Sequence, residues 1–177
     1  MTVLRTTSLP DVGVRPARVS DAQAIAAIYA HHVAHGTATF DTEAPDAAAW
    51  EEKIAHITAR GWPFLVAERE GQVAGYCYAT QFRERAAYAR TCEDSIYIRP
   101  GLEGTGIGTR LLTALIAAAR ACGFEQMIAV LGGAGPVSAA LHAKCGFAEA
   151  GRLRNVGFKF GRRLDTLYMQ RDLTGED

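Results

Sequence analysis

The chain is 177 residues long, enough for one substantial core and too short for two comfortable ones. Nineteen basic residues offset nineteen acidic ones, and 49 % of residues are hydrophobic against 21 % charged, an ordinary globular balance. Such neutrality supplies no field to gather nucleic acid or an anionic membrane surface, and no apolar run approaches the roughly 20 residues that span a bilayer. The first dozen residues, interrupted by Arg5, do not resemble a secretion signal and read as a loose tail (1–12), as do residues 174–177. Between them, 13–173 is expected to form one domain. Cys77, Cys92, Cys122 and Cys145 form no CxxC pair and have no short spacing to histidine. Zinc and dithiol chemistry are therefore disfavoured. Each cysteine is expected to be a small buried hydrophobe in a reducing cytoplasm, with no metal in the protein.

In chain order, Val12 to Arg18 reads as a first strand. Ser20 followed by Gln23 is a capping-box pattern, after which Ile25, Ile28, Tyr29 and Val33 recur at helical spacing. A loop with Gly36 and Phe40 follows. Asp46 can cap a second helix whose Trp50, Ile54 and Ile57 share one face, with Gly61 as its stop. Phe64 to Glu68 and Val73 to Thr80 read as a hairpin turned at Glu70-Gly71-Gln72. A polar loop with Arg83, Arg85 and Arg90 leads to a strand from Thr91 to Ile98, ended by Pro100 and Gly101. A long helix from about Thr105 to Ala121 should bury Ile107, Leu111, Leu115 and Ala118. Gln126 to Leu131 reads as a strand, Val137 to Lys144 as a short helix, and Phe147 to Asp172 as the final strands. His31, His32, His35 and His56 have no metal spacing and are expected to face water.

The informative stretch is Ser95-Ile96-Tyr97-Ile98-Arg99-Pro100-Gly101-Leu102-Glu103-Gly104-Thr105-Gly106-Ile107-Gly108. A strand ends, glycines crowd the turn and a long helix starts. Glycines let successive backbone N–H groups converge, and the helix N-terminus adds partial positive charge, which together suit a diphosphate. A turn that merely starts a helix is the plain alternative. A P-loop would need Lys-Ser/Thr after the last glycine, where Thr109-Arg110 stands. A dinucleotide-binding turn would follow the first strand of a βαβ unit, and this one follows several antiparallel-looking strands.

Gly104-x-Gly106-x-Gly108, the long helix, the short strand and Ser138-x-x-Leu141-His142-x-x-x-Gly146-Phe147 together resemble the GNAT acetyltransferase superfamily. Cys92-Glu93-Asp94-Ser95-Ile96-Tyr97-Ile98 and the tail Val156-Gly157-Phe158-Lys159-Phe160-Gly161-Arg162-Arg163-Leu164-Asp165 resemble its phosphinothricin and methionine sulfone/sulfoximine acetyltransferases. The likeness covers about residues 13–173. It implies a single α/β (α+β) domain, a central mixed and mostly antiparallel sheet flanked by helices, which transfers acetyl from acetyl-coenzyme A to a small-molecule amine. It also implies a homodimer. By the same resemblance, Ile96, Tyr97 and Ile98 pair with the pantetheine arm. Gly104, Thr105, Gly106, Ile107, Gly108 and Thr109 receive the diphosphate, and Gly135 and Lys144 are further coenzyme contacts. Two positions depart from the family pattern. Glu103 replaces the usual Gln or Arg, which leaves binding to backbone donors, with Arg99 and Arg110 as candidate cations. Gly135 replaces the usual Asn and removes a side-chain amide.

Attack on a thioester needs a neutral amine, whereas alkyl amines are protonated at pH 7, so a base must accept the proton. Glu93 matches the family's base; the plain alternative is a surface carboxylate on a strand. Asp94 should face the other way unless a bulge exchanges the two roles. His142 stands where many relatives carry a tyrosine thought to protonate the leaving thiolate, and its pKa near neutrality suits that work. The alternative is a helix histidine satisfied by a backbone carbonyl. An amino-acid acceptor also needs a guanidinium for its carboxylate. Arg83 stands where the subfamily's substrate arginine occurs, with Glu84 beside it and Arg85 either reinforcing it or facing water. Phe40, Glu93, Asp94 and Ser95 complete the expected acceptor site, with Tyr88 a weaker candidate. Acetylation of a protein N-terminus or a polyamine, and a non-catalytic acyl-coenzyme A sensor, are competing readings. The cluster Arg83, Arg85 and Arg90 argues against a polyamine.

Overall fold

The computed structural model describes residues 12–175. The expected loose ends at 1–11 and 176–177 lie outside the described residues. Val12, where the expected tail and the expected strand overlap, is the first residue of β1 (Val12–Pro16), which stops two residues short of Arg18. The chain continues through α1 (Ala22–His35), α2 (Ala47–Ala59), β2 (Phe64–Arg69), β3 (Gln72–Gln81), β4 (Thr91–Ile98), α3 (Ile107–Ala121), β5 (Gln126–Gly132), α4 (Pro136–Lys144), β6 (Ala148–Lys159) and β7 (Arg162–Asp172).

The strands form one seven-stranded sheet in the order β1-β2-β3-β4-β5-β7-β6, antiparallel throughout except for the central β4–β5 pair. Alternation along the strands sends side chains to two separate cores. On one face Phe64, Val66, Tyr76 and Tyr78 meet Ile25, Ile28 and Tyr29 of α1 and Trp50, Ile54 and Ile57 of α2. On the other, Cys77, Ala79, Met127, Ala129 and Leu167 meet Leu111, Leu112 and Leu115 of α3. The first core is strongly aromatic, with Trp50 packing edge-on against Tyr29 at 5.3 Å and Tyr76 at 5.4 Å between centroids.

Several local expectations are corrected. The Ser20–Gln23 capping box does not form. A single 3-10 turn at 19–21 precedes α1, and Asp21 closes it by accepting the Arg18 N–H at 2.7 Å and both terminal nitrogens of Arg15 at 2.8 and 2.9 Å. A bidentate guanidinium partner outweighs a lone serine cap. Asp46 does cap α2, accepting the Ala49 N–H at 2.9 Å. The buried stripe of α3 runs through Leu112, Ile116 and Ala119 as well as Leu111 and Leu115, while Ala118 is only half-buried. Cys77, Cys92 and Cys145 are buried and Cys122 is exposed; all four are free thiols. No helix among the described residues is long and apolar enough to cross a membrane.

The parallel pairing of β4 with β5 runs only from Thr91↔Gln126 to Asp94↔Ala129. Beyond it β4 continues to Ile98 bonded to β3, and β5 to Gly132 bonded to β7, so the sheet opens into a fork. The expected site residues Glu93 to Ile98 lie on the β4 side of that fork.

Candidate active site

Backbone alternation decides what the fork offers. Arg99 N–H donates to Ala74 O at 2.9 Å across to β3, so the odd-numbered residues of this stretch face β3. Ile96 and Ile98 therefore turn their N–H and C=O groups into the opening, which is the edge an extended chain can join as an added strand. His32, expected to be solvated, instead reaches this edge. Its Nε2 lies 2.8 Å from Ile98 O, and its ring packs against Tyr97 at 5.3 Å.

The glycine turn sits at the outer end of β4. Gly101, Gly104 and Gly106 have φ of 84°, 74° and 86°, a region that penalises any side chain. Gly106 is the N-cap of α3, and no side chain caps the helix, which leaves the N–H groups of Ile107, Gly108 and Thr109 without an intrahelical partner. An uncapped, 15-residue helix entered through left-handed glycines fits a diphosphate. Gly108 has a different reason to be glycine, because a Cβ there would lie 3.2 Å from Leu141 Cδ2, where α3 packs on α4. Glu103 turns back on the glycine turn itself and accepts the Gly101 N–H at 2.7 Å. Neither candidate cation is aimed there: Arg99 donates to Gln72 Oε1 at 2.8 Å and Arg110 to Val12 O at 2.9 Å. Gly135 is the N-cap of α4 ahead of Pro136, and Lys144 is exposed at that helix's far end.

A cavity of about 220 Å³ lies in the crotch of the fork, lined by Ala38, Thr39, Phe40, Glu93, Asp94, Ser95, Tyr97, Val130, Gly132 and Thr166. The structure thus brings together Phe40, Glu93, Asp94, Ser95 and Tyr97, drawn from two segments of the sequence. A larger groove of about 500 Å³ between α1 and α2 is lined mostly by alanines, and its carboxylate, Asp46, is occupied in capping α2. Size does not select the site; chemistry does.

Glu93 is half-buried, and burial raises its pKa above the usual carboxylate value. The Arg83 guanidinium, 3.6 Å from Glu93 Oε2, opposes the rise, and Asp94 adds to it. Arg83 also stacks on Phe82, 3.9 Å from the ring centroid, and donates to Phe82 O. Its neighbours stand further out. Glu84 lines a separate cleft with His56 and Trp62, and Arg85 is exposed, contributing only its carbonyl to Gln81 Nε2. Tyr88 is exposed and packs edge-on against Phe82.

Asp94 and His142 occupy the opposite face, as strand alternation requires, and β4 carries no bulge in its pairing with β3. His142 is 1 % exposed. Its Nδ1 sits 2.7 Å from Ser138 O, an atom that only accepts, so Nδ1 carries a proton. Its Nε2 sits 3.1 Å from Asp94 Oδ2. Burial alone would lower the His142 pKa, but the Asp94 hydrogen bond and charge, with Ser138 O, carry it above 6.5. Both ring nitrogens are thus occupied. The backbone-satisfied alternative describes His142 in part; the buried carboxylate partner was not anticipated. Asp94 Oδ1 is buried without a hydrogen-bond partner among the described residues.

Sequence reasoning missed Lys159, His32 and Gln81. Lys159 Nζ donates to Gly36 O and Thr39 O, both at 2.9 Å, and Gln81 Nε2 ties Arg83 O at 2.6 Å. Only the Gly-x-Lys-x-Gly tail hinted at the first.

Residues 25–147 match the model of the acetyltransferase (GNAT) family. The chain is 49 % identical to a phosphinothricin N-acetyltransferase of Alcaligenes faecalis, over 93 % of this chain and 84 % of the relative. It is 36 % identical to an L-methionine sulfoximine/L-methionine sulfone acetyltransferase of Salmonella typhimurium, over 90 % and 94 %. Among solved structures, a phosphinothricin acetyltransferase from Sinorhizobium meliloti in complex with acetyl-coenzyme A superposes with a TM-score of 0.89 at 45 % identity, over 91 % of this chain and 88 % of that one. A forked sheet, an uncapped helix behind a glycine turn and these relatives agree: the chain belongs to the GNAT acetyltransferase family.

Proposed function

We propose that the protein transfers acetyl from acetyl-coenzyme A directly to the amine of a small amino-acid-like acceptor of the phosphinothricin or methionine sulfone type. The observation that carries this reading is the opening of β4 from β5 immediately beyond Glu93 and Asp94, with a small cavity in the crotch. When bound, acetyl-coenzyme A supplies the thioester that the amine attacks. The edge groups of Ile96 and Ile98 hold its extended arm, and the N–H groups at the start of α3 hold its diphosphate. Glu93 faces the acceptor cavity and takes the ammonium proton, directly or through one water; its raised pKa brings it closer to the range a general base needs. Arg83 binds the acceptor carboxylate, and Phe40 and Ser95 wall its side chain. His142 is too buried to touch the acceptor, and acts by holding Asp94 at the crotch. The cytoplasm, where thiols stay reduced, is the compartment we assign.

Mass spectrometry of the purified protein with acetyl-coenzyme A and a panel of amino acids, phosphinothricin and methionine sulfone should show a +42 Da product on the amine, about +42 being one acetyl replacing hydrogen, at steady-state rates ordinary for enzymes. No product across the panel removes the proposal. Arg83→Met should raise KM for the acceptor about 10- to 100-fold, the scale of one hydrogen bond to a charged group. It should also move the acidic limb of the pH profile upward, because the Arg83 charge holds the Glu93 pKa down.

The homodimer is proposed on different grounds. Edge strand β6 presents Leu153, Val156 and Phe158 to solvent, Phe158 at 70 % exposure, and Phe160 is exposed in the turn that follows. An exposed apolar edge of this kind is covered in a stable protein. Light scattering should give twice the 19.0 kDa chain mass, falling to one chain in Phe158→Asp; a wild-type monomer contradicts the assignment.

A further inference from the structure

Residues Gly36–Asp41, between α1 and α2, supply the outer wall of the acceptor cavity and contain little regular structure of their own. They are held from β6, more than a hundred residues later. Lys159 is 5 % exposed, and its Nζ donates to Gly36 O and Thr39 O, both at 2.9 Å. Two positions earlier on the same face of β6, Gly157 makes room for the Phe40 ring: a Cβ there would lie 2.6 Å from Phe40 Cζ. From the end of β5, Gly132 approaches the same ring, with a Cβ position 3.1 Å from Phe40 Cε1. A buried ammonium on two carbonyls and a ring seated in a glycine niche leave this wall one position.

We propose that Lys159 and Gly157 are positioning residues that set acceptor specificity: Lys159 fixes the backbone of the Gly36–Asp41 wall and Gly157 sets how far the Phe40 ring enters the cavity. The inference rests on the acceptor-cavity reading above. It makes the depth of the pocket a property of β6, which β5 and β7 separate from β4 in the sheet.

Hydrogen exchange and kinetics on the full-length protein test it. In Lys159→Met, amides of 36–41 should exchange at least about tenfold faster than in wild type while those of α3 do not change, as expected when a local anchor is lost. KM for the acceptor should rise about tenfold or more with KM for acetyl-coenzyme A within about twofold, a split that general loss of stability does not produce. In Gly157→Ala the ring is pushed inward, so the ratio of kcat/KM for alanine over methionine sulfone should rise about tenfold. Unchanged exchange at 36–41, an equal rise in both KM values, or an unchanged alanine-to-sulfone ratio each overturns the inference. Should wild type acetylate no amino acid, the functional proposal fails while the exchange experiment still decides whether Lys159 anchors the wall.

Discussion

Glu93→Gln should lower kcat by about 10³-fold, within the range a positioned general base contributes, while acetyl-coenzyme A binds as in wild type. The two proposed sites are physically separate. The proposed coenzyme contacts are on the Ile96–Ile98 edge and the start of α3, whereas the Glu93 side chain lies on the α1–α2 face of the sheet beside Phe40 and Tyr97. The wild-type kcat/KM should decline as pH falls through the raised Glu93 pKa, and that limb should vanish in the variant. Stability separates this from a folding defect. A carboxyl whose pKa is raised by folding binds its proton more readily in the native state, so above that pKa the ionised group costs stability. Glu93→Gln should therefore melt no lower than wild type at pH 8. Full turnover in the variant would take Glu93 out of the mechanism.

The parts of this site legible from residues alone were those encoded locally. The hairpin of β2 and β3, strand β4 and the glycine entry to α3 are each announced within a dozen residues by alternation, turn chemistry and a helical stripe. Phe40 and Glu93 were legible through resemblance. What stayed hidden depends on distance along the chain. Lys159 reaches Gly36 across 123 residues, His32 reaches Ile98 across 66, and His142 reaches Asp94 across 48. No local pattern distinguishes a lysine bound for backbone carbonyls from one bound for water. Pairing β6 beside β7 is what places Lys159 over the loop. The Ser20–Gln23 cap failed for a related reason: Arg15 of β1 reaches Asp21, and a charged bidentate pair there outbids a local hydroxyl. His32 shows how a histidine expected to be solvated can be held on a distant strand once the sheet is assembled, and His142 gains a buried carboxylate partner in the same way.

The buried pair at the crotch gives the largest stability effect. Asp94→Ala leaves His142 Nε2 buried without its carboxylate partner, a loss on the order of 3–5 kcal/mol for a broken buried pair. At about 2–4 °C per kcal/mol for a chain of this size, the melting temperature should fall by roughly 6 to 20 °C. The pH dependence has a definite sign. The folded-state pKa of His142 is raised above 6.5, so its contribution is fully present below the unfolded value and is lost as pH rises through the folded one. The gap between wild type and Asp94→Ala should accordingly be widest below the unfolded-state value and narrow as pH rises through the raised folded-state one. Replacing both partners by leucine should cost less than Asp94→Ala alone, since no charge is then left stranded. Differential scanning fluorimetry across pH reads all three proteins. A gap that widens with rising pH, or a double variant melting below the single one, would show that the pair is neutral in the fold and that His142 holds Asp94 by packing against Phe147, whose ring lies 5.0 Å away, and not by charge.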